Sequence, residues 1–267
     1  MSFNLTLEER EGILKQEQFS SKLTDFFLNV SSIQRKPHSE RRIGLLEDGL
    51  SESQIIDLAF RKNINYVIQN SIHPLSDKIK LLKRIESSQD LYFHEDLSFF
   101  ESNYGKHKII FDRDTPRSSI LNLAFHRLQL NINMSRTMAL KSGMEEIIMN
   151  AQLDAINLSK DKTPRKLYLI LEKGENLVAV SVIDPYGSLS NDKFLGRIES
   201  CLNIGLSASI NQSRQTGAGI GSAIIFNAAD SLFLGSIANK KTRVVAIIPY
   251  NISEKKQEKL QKSIVLI

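Results

Sequence analysis

The chain has 267 residues, of which 41% are hydrophobic and 24% are charged, and its mean hydropathy is −0.20. This composition is that of a soluble globular protein, with enough chain for one large domain or two smaller ones. The single cysteine, Cys201, excludes a disulfide framework. No apolar run reaches the ~18–20 residues of a membrane span. Since no secretory pattern is visible either, we predict a cytoplasmic protein without membrane association.

The net charge of +5 is divided unevenly along the chain. Residues 1–106 contain 14 Lys and Arg against 16 Asp and Glu, whereas residues 107–267 contain 21 against 14. This asymmetry favours two domains, and the turn-prone Ser102–Gly105 is the best boundary between them. We therefore predict a mainly helical regulatory or partner-binding domain over residues 1–105, followed by a basic domain over residues 106–267.

Two helices are predicted in the first part of the chain. The first begins at Ser51, and apolar residues continue its rough helical pattern as far as Ile68. The second covers residues 77–87, with apolar residues at helical spacing. No motif with an evident chemical role accompanies either helix.

The second part of the chain predicts an α/β fold of the α+β sandwich type, with one mixed sheet and helices on one face. Strands are predicted at residues 108–111, 166–172, 176–184, 231–237 and 242–248. Helices are predicted at residues 118–131, 138–158, 192–202 and 220–229.

The helix over residues 138–158 carries the first candidate site. Glu146, Asn150 and Asp154 follow one another at i, i+4 and i+8, which places them in one polar stripe beside an apolar face. Carboxylate and amide oxygens suit Mg²⁺, and a Glu one turn before the Asn suits a general base. The alternative is an amphipathic helix with ordinary polar edges.

The second candidate site lies where an apolar strand ends at Asp184. A carboxylate at a strand end can accept a hydrogen bond from an exocyclic amine such as that of adenine. Gly187, three residues later, lets a flat ring approach the backbone closely. The alternative is a Pro-Tyr-Gly turn that merely ends the strand.

The third candidate site is the glycine-rich segment Gly217, Gly219 and Gly221, which leads into the helix over residues 220–229. Alternate glycines expose backbone N–H groups, and a helix N-terminus favours anions, so this segment predicts a phosphate cradle. No strand precedes it and no Gly-Lys-Ser/Thr follows, which excludes a dinucleotide fingerprint and a Walker A loop.

In this order and spacing, the three sites resemble the GHKL ATPase superfamily. That superfamily includes histidine kinases, type II topoisomerases, the large heat-shock chaperones, mismatch-repair ATPases and anti-sigma-factor serine kinases. The resemblance covers about residues 107–250 and is closest to the compact anti-sigma-factor serine kinases. The matching positions are the N box Glu146 and Asn150, the first glycine box Asp184 and Gly187, the second glycine box Gly217, Gly219 and Gly221, and the late-strand threonine Thr242.

The resemblance implies a Bergerat-type sandwich that holds ATP between its helices and its sheet. Asn150 would hold Mg²⁺, Glu146 would be the catalytic base, and Asp184 would bind the adenine amine with help from Thr242. The glycines of the second box would contact phosphates, and residues 190–216 would form an ATP lid. Asp154 and Gly217 are assigned to the same cofactor site.

The resemblance also implies a function, namely a regulatory protein of bacterial type that binds ATP with Mg²⁺ and phosphorylates or sequesters a protein partner. A homodimer is compatible with it. A non-catalytic nucleotide-binding module is an alternative, because the first box here is Asp184-Pro-Tyr-Gly187. A histidine-kinase-like phosphotransfer protein is another, but for its two candidates, His73 and His126, a structural or surface role is favoured.

Nucleic-acid binding is disfavoured. Four lysines follow one another near the C-terminus, but Glu254 and Glu258 lie among them, and the chain has no Trp for base stacking. A solvated helix face is the preferred interpretation of these lysines, which are Lys255, Lys256, Lys259 and Lys262.

Overall fold

The computed structural model describes residues 27–28, 44–46, 49–62, 64–101, 104–130, 134–155, 163, 165–204, 220–253 and 260–267. Within these ranges nine strands form one mixed sheet, in the order β1-β2-β3-β9-β7-β8-β6-β5-β4. They are β1 (Phe27–Leu28), β2 (Gly44–Leu46), β3 (Tyr66–Ile68), β4 (Lys106–Phe111), β5 (Leu167–Lys173), β6 (Leu177–Asp184), β7 (Ser231–Ile237), β8 (Lys241–Pro249) and β9 (Ser263–Leu266).

Seven α-helices and two π-helical turns accompany the sheet in the described ranges. The helices are α1 (Glu52–Ile56), α2 (Leu75–Ser87), α3 (Gln89–Tyr92), α4 (Arg117–Leu128), α5 (Met134–Met149), α6 (Asn191–Ile204) and α7 (Gly221–Ala228). The turn π1 (Asp57–Arg61) continues α1, and the turn π2 (Asn150–Asp154) continues α5. The mixed α/β fold and the elements predicted after residue 106 are thereby confirmed, with ends that differ by a few residues.

Apolar side chains cover both faces of the sheet. One face packs Val180, Val182 and Ala246 against α4, α5, α6 and α7. The other face packs Ala179 and Val245 against α2 and the segment that follows it. All eight residues of β6 are buried, as expected for a strand covered on both sides. The expectation of helices on one face is thus correct for the second part of the chain alone, because α2 lies on the opposite face.

The first part of the chain differs from its prediction at residues 66–68. The predicted helix does begin at Ser51, whose hydroxyl accepts a hydrogen bond from Gln54 N while Gln54 Oε1 accepts from Ser51 N. It ends after π1, and Tyr66–Ile68 is instead the buried strand β3. Two β-branched residues and an aromatic residue suit a strand, and β3 pairs on one side with β2 and on the other with β9, which is distant in sequence.

Strand β3 joins the first part of the chain to the sheet of the second part. It pairs antiparallel with β9, and Tyr66 lies opposite Val265. The predicted boundary at residue 105 immediately precedes β4, so it falls at a position where the chain enters this same sheet.

A buried polar network reinforces this connection. The Asp230 carboxylate accepts hydrogen bonds from Ser71 Oγ, Ile72 N, His73 N and Ser231 Oγ at 2.7–3.3 Å. Lys78 Nζ lies 3.5 Å from Asp230 Oδ1, and neither side chain is exposed. Burial alone would raise the pKa of Asp230, but the Lys78 ammonium and the serine hydroxyls hold it below its usual value.

Lys262 corrects the prediction of a solvated helix face, because its side chain is buried. Its ammonium donates to the carbonyls of Phe226, Asn227 and Ala229 at 2.7, 2.8 and 3.1 Å. These carbonyls lie at the C-terminal end of α7, where a cation is favourable. Lys255, Lys256 and Lys259 lie outside the described residues.

Replacing Lys78 with Met is expected to lower the free energy of unfolding by about 3–5 kcal/mol, because Asp230 would remain buried without its cation. Urea denaturation measures this change. The control is Lys80→Met on the same helix as Lys78, which breaks a partly exposed ion pair with Glu101 and should cost no more than about 1 kcal/mol. Equal effects of the two substitutions would contradict a special role for the buried pair.

Candidate functional site

One cavity brings together residues from three separate parts of the sequence. It lies between α5, α6 and the ends of β6 and β8, and it is a small pocket of about 60 Å³ that is partly open to solvent. Asn150, Asp184 and Thr242, all predicted site residues, contribute to its wall. The apolar part of the wall consists of Ile147, Ala151, Ala155, Val182, Leu189, Phe194 and Val244.

Asp184 is the last residue of β6, and its side chain is 5% exposed. Its Oδ1 accepts a hydrogen bond of 2.9 Å from Tyr186 N, which fixes the carboxylate at the start of the turn. Burial raises the pKa of Asp184 to about 6, against the opposing effect of the Tyr186 N–H. The carboxylate therefore carries its charge at neutral pH in a place where a donor from a ligand would stabilise it.

Asp184 belongs to a row of polar side chains on three neighbouring strands. In the register of the sheet it lies opposite Thr242 of β8, and Thr242 lies opposite Ser236 of β7. The buried hydroxyl of Ser236 has no hydrogen-bond partner among the described residues, whereas the Thr242 hydroxyl lies beside the Asp184 carboxylate and lowers its pKa against the effect of burial. A buried hydroxyl without a partner, such as that of Ser236, fits a polar ligand at this end of the sheet.

Asn150 is the first residue of π2, and its carbonyl accepts from Ala155 N, five residues later. This wider turn replaces the regular helix that the sequence predicts, so the i, i+4, i+8 stripe does not continue through residues 150–154. Ser188 Oγ donates to Ala155 O at 3.0 Å and ties the loop after β6 to the end of this turn. Asp154 lies in π2, but its side chain is outside the described part.

Glu146 lies against the beginning of α7 and is not among the residues that line the cavity. A Cβ added to Gly221 would overlap Glu146 Oε2, so the absence of a side chain at Gly221 allows this close approach. The structure thus brings together Glu146 and Gly221, which the resemblance assigns to two different motifs. Gly217, Gly219 and residues 205–216 of the predicted lid lie outside the described residues, and Asn191–Ile204 within the lid range forms α6, close to the helix predicted at residues 192–202.

Gly187 supports a turn of the protein and does not line the cavity. Its φ is +58°, and an added Cβ would overlap Ile237 O and lie 2.7 Å from Lys240 N. Its carbonyl accepts from Asn239 N at 3.2 Å. The close approach predicted for a ligand ring at Gly187 is therefore taken by the turn between β7 and β8.

Two cations in the cavity wall, Lys193 and Arg197, were not predicted from the sequence. They are one turn apart on α6, so their side chains lie on the same side of the helix. Their i, i+4 spacing within a predicted helix was the available signal. A wall with two cations, a buried carboxylate and an apolar surface suits a ligand with a flat apolar body and an anionic group.

The described residues contain no group of three or more His, Cys, Asp or Glu side chains that could hold a metal ion. Mg²⁺ commonly takes one or two protein oxygens and completes its shell with phosphate and water. Asn150, which lines the cavity, carries an amide oxygen of the kind that Mg²⁺ takes as a ligand.

No protein-family model and no curated protein matches this sequence. None of the helices in the ranges given above is long and apolar enough to cross a membrane. The interpretation of the site therefore depends on its residues and their geometry.

Substituting Gly187 with Ala is expected to destabilise the protein by more than the ~1–2 kcal/mol that a left-handed backbone costs a residue with a Cβ, because the Cβ also overlaps Ile237 O. Gly49→Ala is the matched control, since Gly49 has φ +79° but open space around it. Chemical denaturation of both variants separates the two contributions. A smaller loss at Gly187 than at Gly49 would contradict the described packing.

Proposed function

We propose that this chain is a regulatory ATP-binding protein that holds ATP with Mg²⁺ in the cavity and phosphorylates or sequesters a protein partner. The observation that carries the proposal is the convergence of Asn150, Asp184 and Thr242, which are separated by 34 and 58 positions in the sequence. Each of the three matches a different motif of the GHKL superfamily. A cavity formed by chance between helices and a sheet would have no reason to combine them.

The residues of the cavity suit the parts of the nucleotide. The buried Asp184 carboxylate accepts from the exocyclic amine of adenine, and the Thr242 hydroxyl lies beside it as a second polar group. Val182 and Val244 offer an apolar surface to the base. Lys193 and Arg197 attract the phosphates, and Asn150 offers an oxygen to Mg²⁺.

The topology of the second part of the chain supports a Bergerat-type sandwich. Strands β4, β5, β6, β8 and β7 form an antiparallel series, and α4, α5, α6 and α7 cover one face of it. The helix with Asn150 and the helix that begins at Gly221 pack against each other on this face. This is the arrangement that the resemblance implies for ATP between helices and sheet.

A second candidate function is a nucleotide-binding module without catalysis. Glu146 lies against Gly221 and outside the cavity wall, which favours binding over proton transfer at the cavity. Histidine phosphotransfer through His73 is disfavoured, because His73 is fully buried and its ring meets Phe100 edge to face at 5.8 Å. Burial and the nearby Lys78 lower the pKa of His73 to about 3, so this imidazole stays neutral.

Calorimetric titration with ATP, with and without Mg²⁺, tests the proposal. Asp184→Asn is expected to weaken ATP binding by about tenfold or more, because a charge-assisted hydrogen bond is lost. The same substitution should leave the free energy of unfolding unchanged or raise it, since an ionised carboxylate leaves a buried site. Asp192→Asn, an exposed change at the beginning of α6, is the control. No binding of ATP by the wild-type chain would refute the proposal.

Asn150→Ala separates the contribution of Mg²⁺ from that of the nucleotide. We expect this variant to bind ATP without Mg²⁺ within about twofold of the wild type, and to lose the increase in affinity that Mg²⁺ produces. A variant that keeps the full effect of Mg²⁺ would contradict the assignment of Asn150. Phosphate transfer from radiolabelled ATP to proteins of a source extract distinguishes a kinase from a binding module.

The affinity for ATP should decrease as the pH falls through about 6, because binding of the amine needs the ionised Asp184. The raised pKa means that the carboxylate is charged above this value and protonated below it, so affinity at pH 5 should be about tenfold lower than at pH 7.5. Comparison with Asp184→Asn subtracts the titration of ATP itself. Equal pH profiles for both proteins would show that another group titrates.

A further inference from the structure

Helix α6 has a second contact surface, away from the cavity. The side of α6 that carries Lys193 and Arg197 lines the cavity, whereas Gly196 and Glu199 face the π-helical turn π1. A Cβ added to Gly196 would lie 3.4 Å from Phe60 Cζ, so the ring of Phe60 packs on the bare backbone of the helix. The first part of the chain therefore packs against the side of α6 that faces away from the cavity.

A charged hydrogen bond accompanies this packing. Arg61 Nε donates to Glu199 Oε1 at 2.7 Å, across 138 residues of sequence. Asp57 Oδ1 lies 3.8 Å from the same Arg61 nitrogen. The turn itself is widened by the bond from Lys62 N to Asp57 O, which sets Phe60 and Arg61 towards α6. Such π turns occur frequently at functional sites.

The segment that contains α1 and π1 also contacts Lys262, which stabilises the C-terminal end of α7. Glu52 Oε1 lies 3.5 Å from Lys262 Nζ, and Lys262 binds the last carbonyls of α7. Helices α6 and α7 both pack on the face of the sheet where the cavity lies. Glu52–Arg61, which comprises α1 and π1, thus contacts α6 directly and α7 through one buried lysine.

We propose that Glu52–Arg61 is a positioning segment that sets α6 against the cavity and so couples the first part of the chain to ligand affinity. The inference rests on the proposed function for the identity of the ligand, ATP. Phe60 and Arg61 are positioning residues, because neither lines the cavity. Any event that shifts α1 and π1 changes the position of Lys193 and Arg197 and therefore the affinity for the phosphates of ATP.

The charged part of this contact is suited to regulation because it is accessible. The Arg61 side chain is 60% exposed and that of Glu199 is 22% exposed, so the pair adds little to global stability. Breaking the pair removes one restraint on α6, while Ile55, Ile56 and Ala59 of the segment stay packed in the core to which α6 also belongs. A change in affinity without a comparable change in global stability is the signature expected of such a segment.

The single cysteine of the chain, Cys201, supplies a direct readout. It lies on α6 and is 9% exposed, so a thiol reagent reaches it mainly when α6 moves away from the core. Its reaction rate therefore measures how often α6 opens. Phe60→Ala is expected to raise this rate and to weaken binding of ATP with Mg²⁺ by about fivefold or more. Arg61→Glu should have an effect of about two- to fivefold, the range of a partly exposed ion pair. The exchange Arg61→Glu with Glu199→Arg should restore both values to near wild type.

Two matched controls accompany these variants. Phe100→Ala truncates a half-buried ring in the other core, and Lys80→Ala breaks a partly exposed ion pair with Glu101. Neither should change the reaction of Cys201 or the affinity for ATP. If the controls have the same effect as the π1 variants, general destabilisation is the cause and the inference is overturned.

The remaining outcomes separate this inference from the proposed function. If the wild-type chain binds ATP, but Phe60→Ala and Arg61→Glu leave the affinity unchanged, only the inference is overturned, even where Cys201 reacts faster. If the charge exchange fails to restore affinity, the Arg61–Glu199 pair has no positioning role and the inference is again overturned. If the wild-type chain binds no ATP, the proposed function is overturned and the inference with it.

Discussion

The pairing of β6 with β8 is the constraint on which the candidate site depends. Eight register pairs run from Leu177 and Pro249 to Asp184 and Thr242. Because side chains alternate along a strand, a slip of one residue would turn every side chain of β6 to the opposite face of the sheet. The register that buries Val182 under the helices is therefore the same register that places Asp184 beside Thr242.

The polar end of this strand pair costs stability. A buried hydroxyl without a partner costs about 1–3 kcal/mol, and Ser236 has such a hydroxyl. The raised pKa of Asp184 shows that its charge is likewise held in an unfavourable place. An apolar residue at each position would extend the core at no such cost. Unfavourable groups gathered beside an open cavity are typical of a binding site, where a ligand supplies the missing partners.

Much of the second part of the chain could be predicted because its information is local. Periodicity and turn residues nearby in sequence are enough to predict helix α4, the β5–β6 hairpin and helix α7. Strand β3 could not be predicted in this way, because three residues give no period and its two partners, β2 and β9, lie about 20 and about 200 positions away. The π turn at Asn150 was missed for a related reason, since a 3.6-residue period assumes a regular helix.

Charge and glycine were the least informative signals taken alone. Lys262 belongs to a basic run, yet it is buried, because its ammonium meets carbonyls of α7 that only the folded chain brings close. Gly187 matches a motif position, but its small size serves the turn between β7 and β8. The cations that do line the cavity, Lys193 and Arg197, belong to no motif that the sequence analysis used. The order of the motifs predicted Asn150, Asp184 and Thr242 of the cavity wall, whereas the charges of that wall depend on tertiary contacts.

The two candidate functions differ physically at Glu146. Binding of a nucleotide needs only the cavity wall, to which Asn150, Asp184 and Thr242 contribute. Proton transfer needs, in addition, a route by which an attacking hydroxyl reaches the junction of α5 and α7, where Glu146 meets Gly221. A helix N-terminus at that junction favours the carboxylate and any phosphate oxygen that approaches it. Under the proposed kinase function, a protein partner would therefore have to bring its hydroxyl to the beginning of α7, where Glu146 lies, whereas a ligand confined to the cavity would not meet this carboxylate.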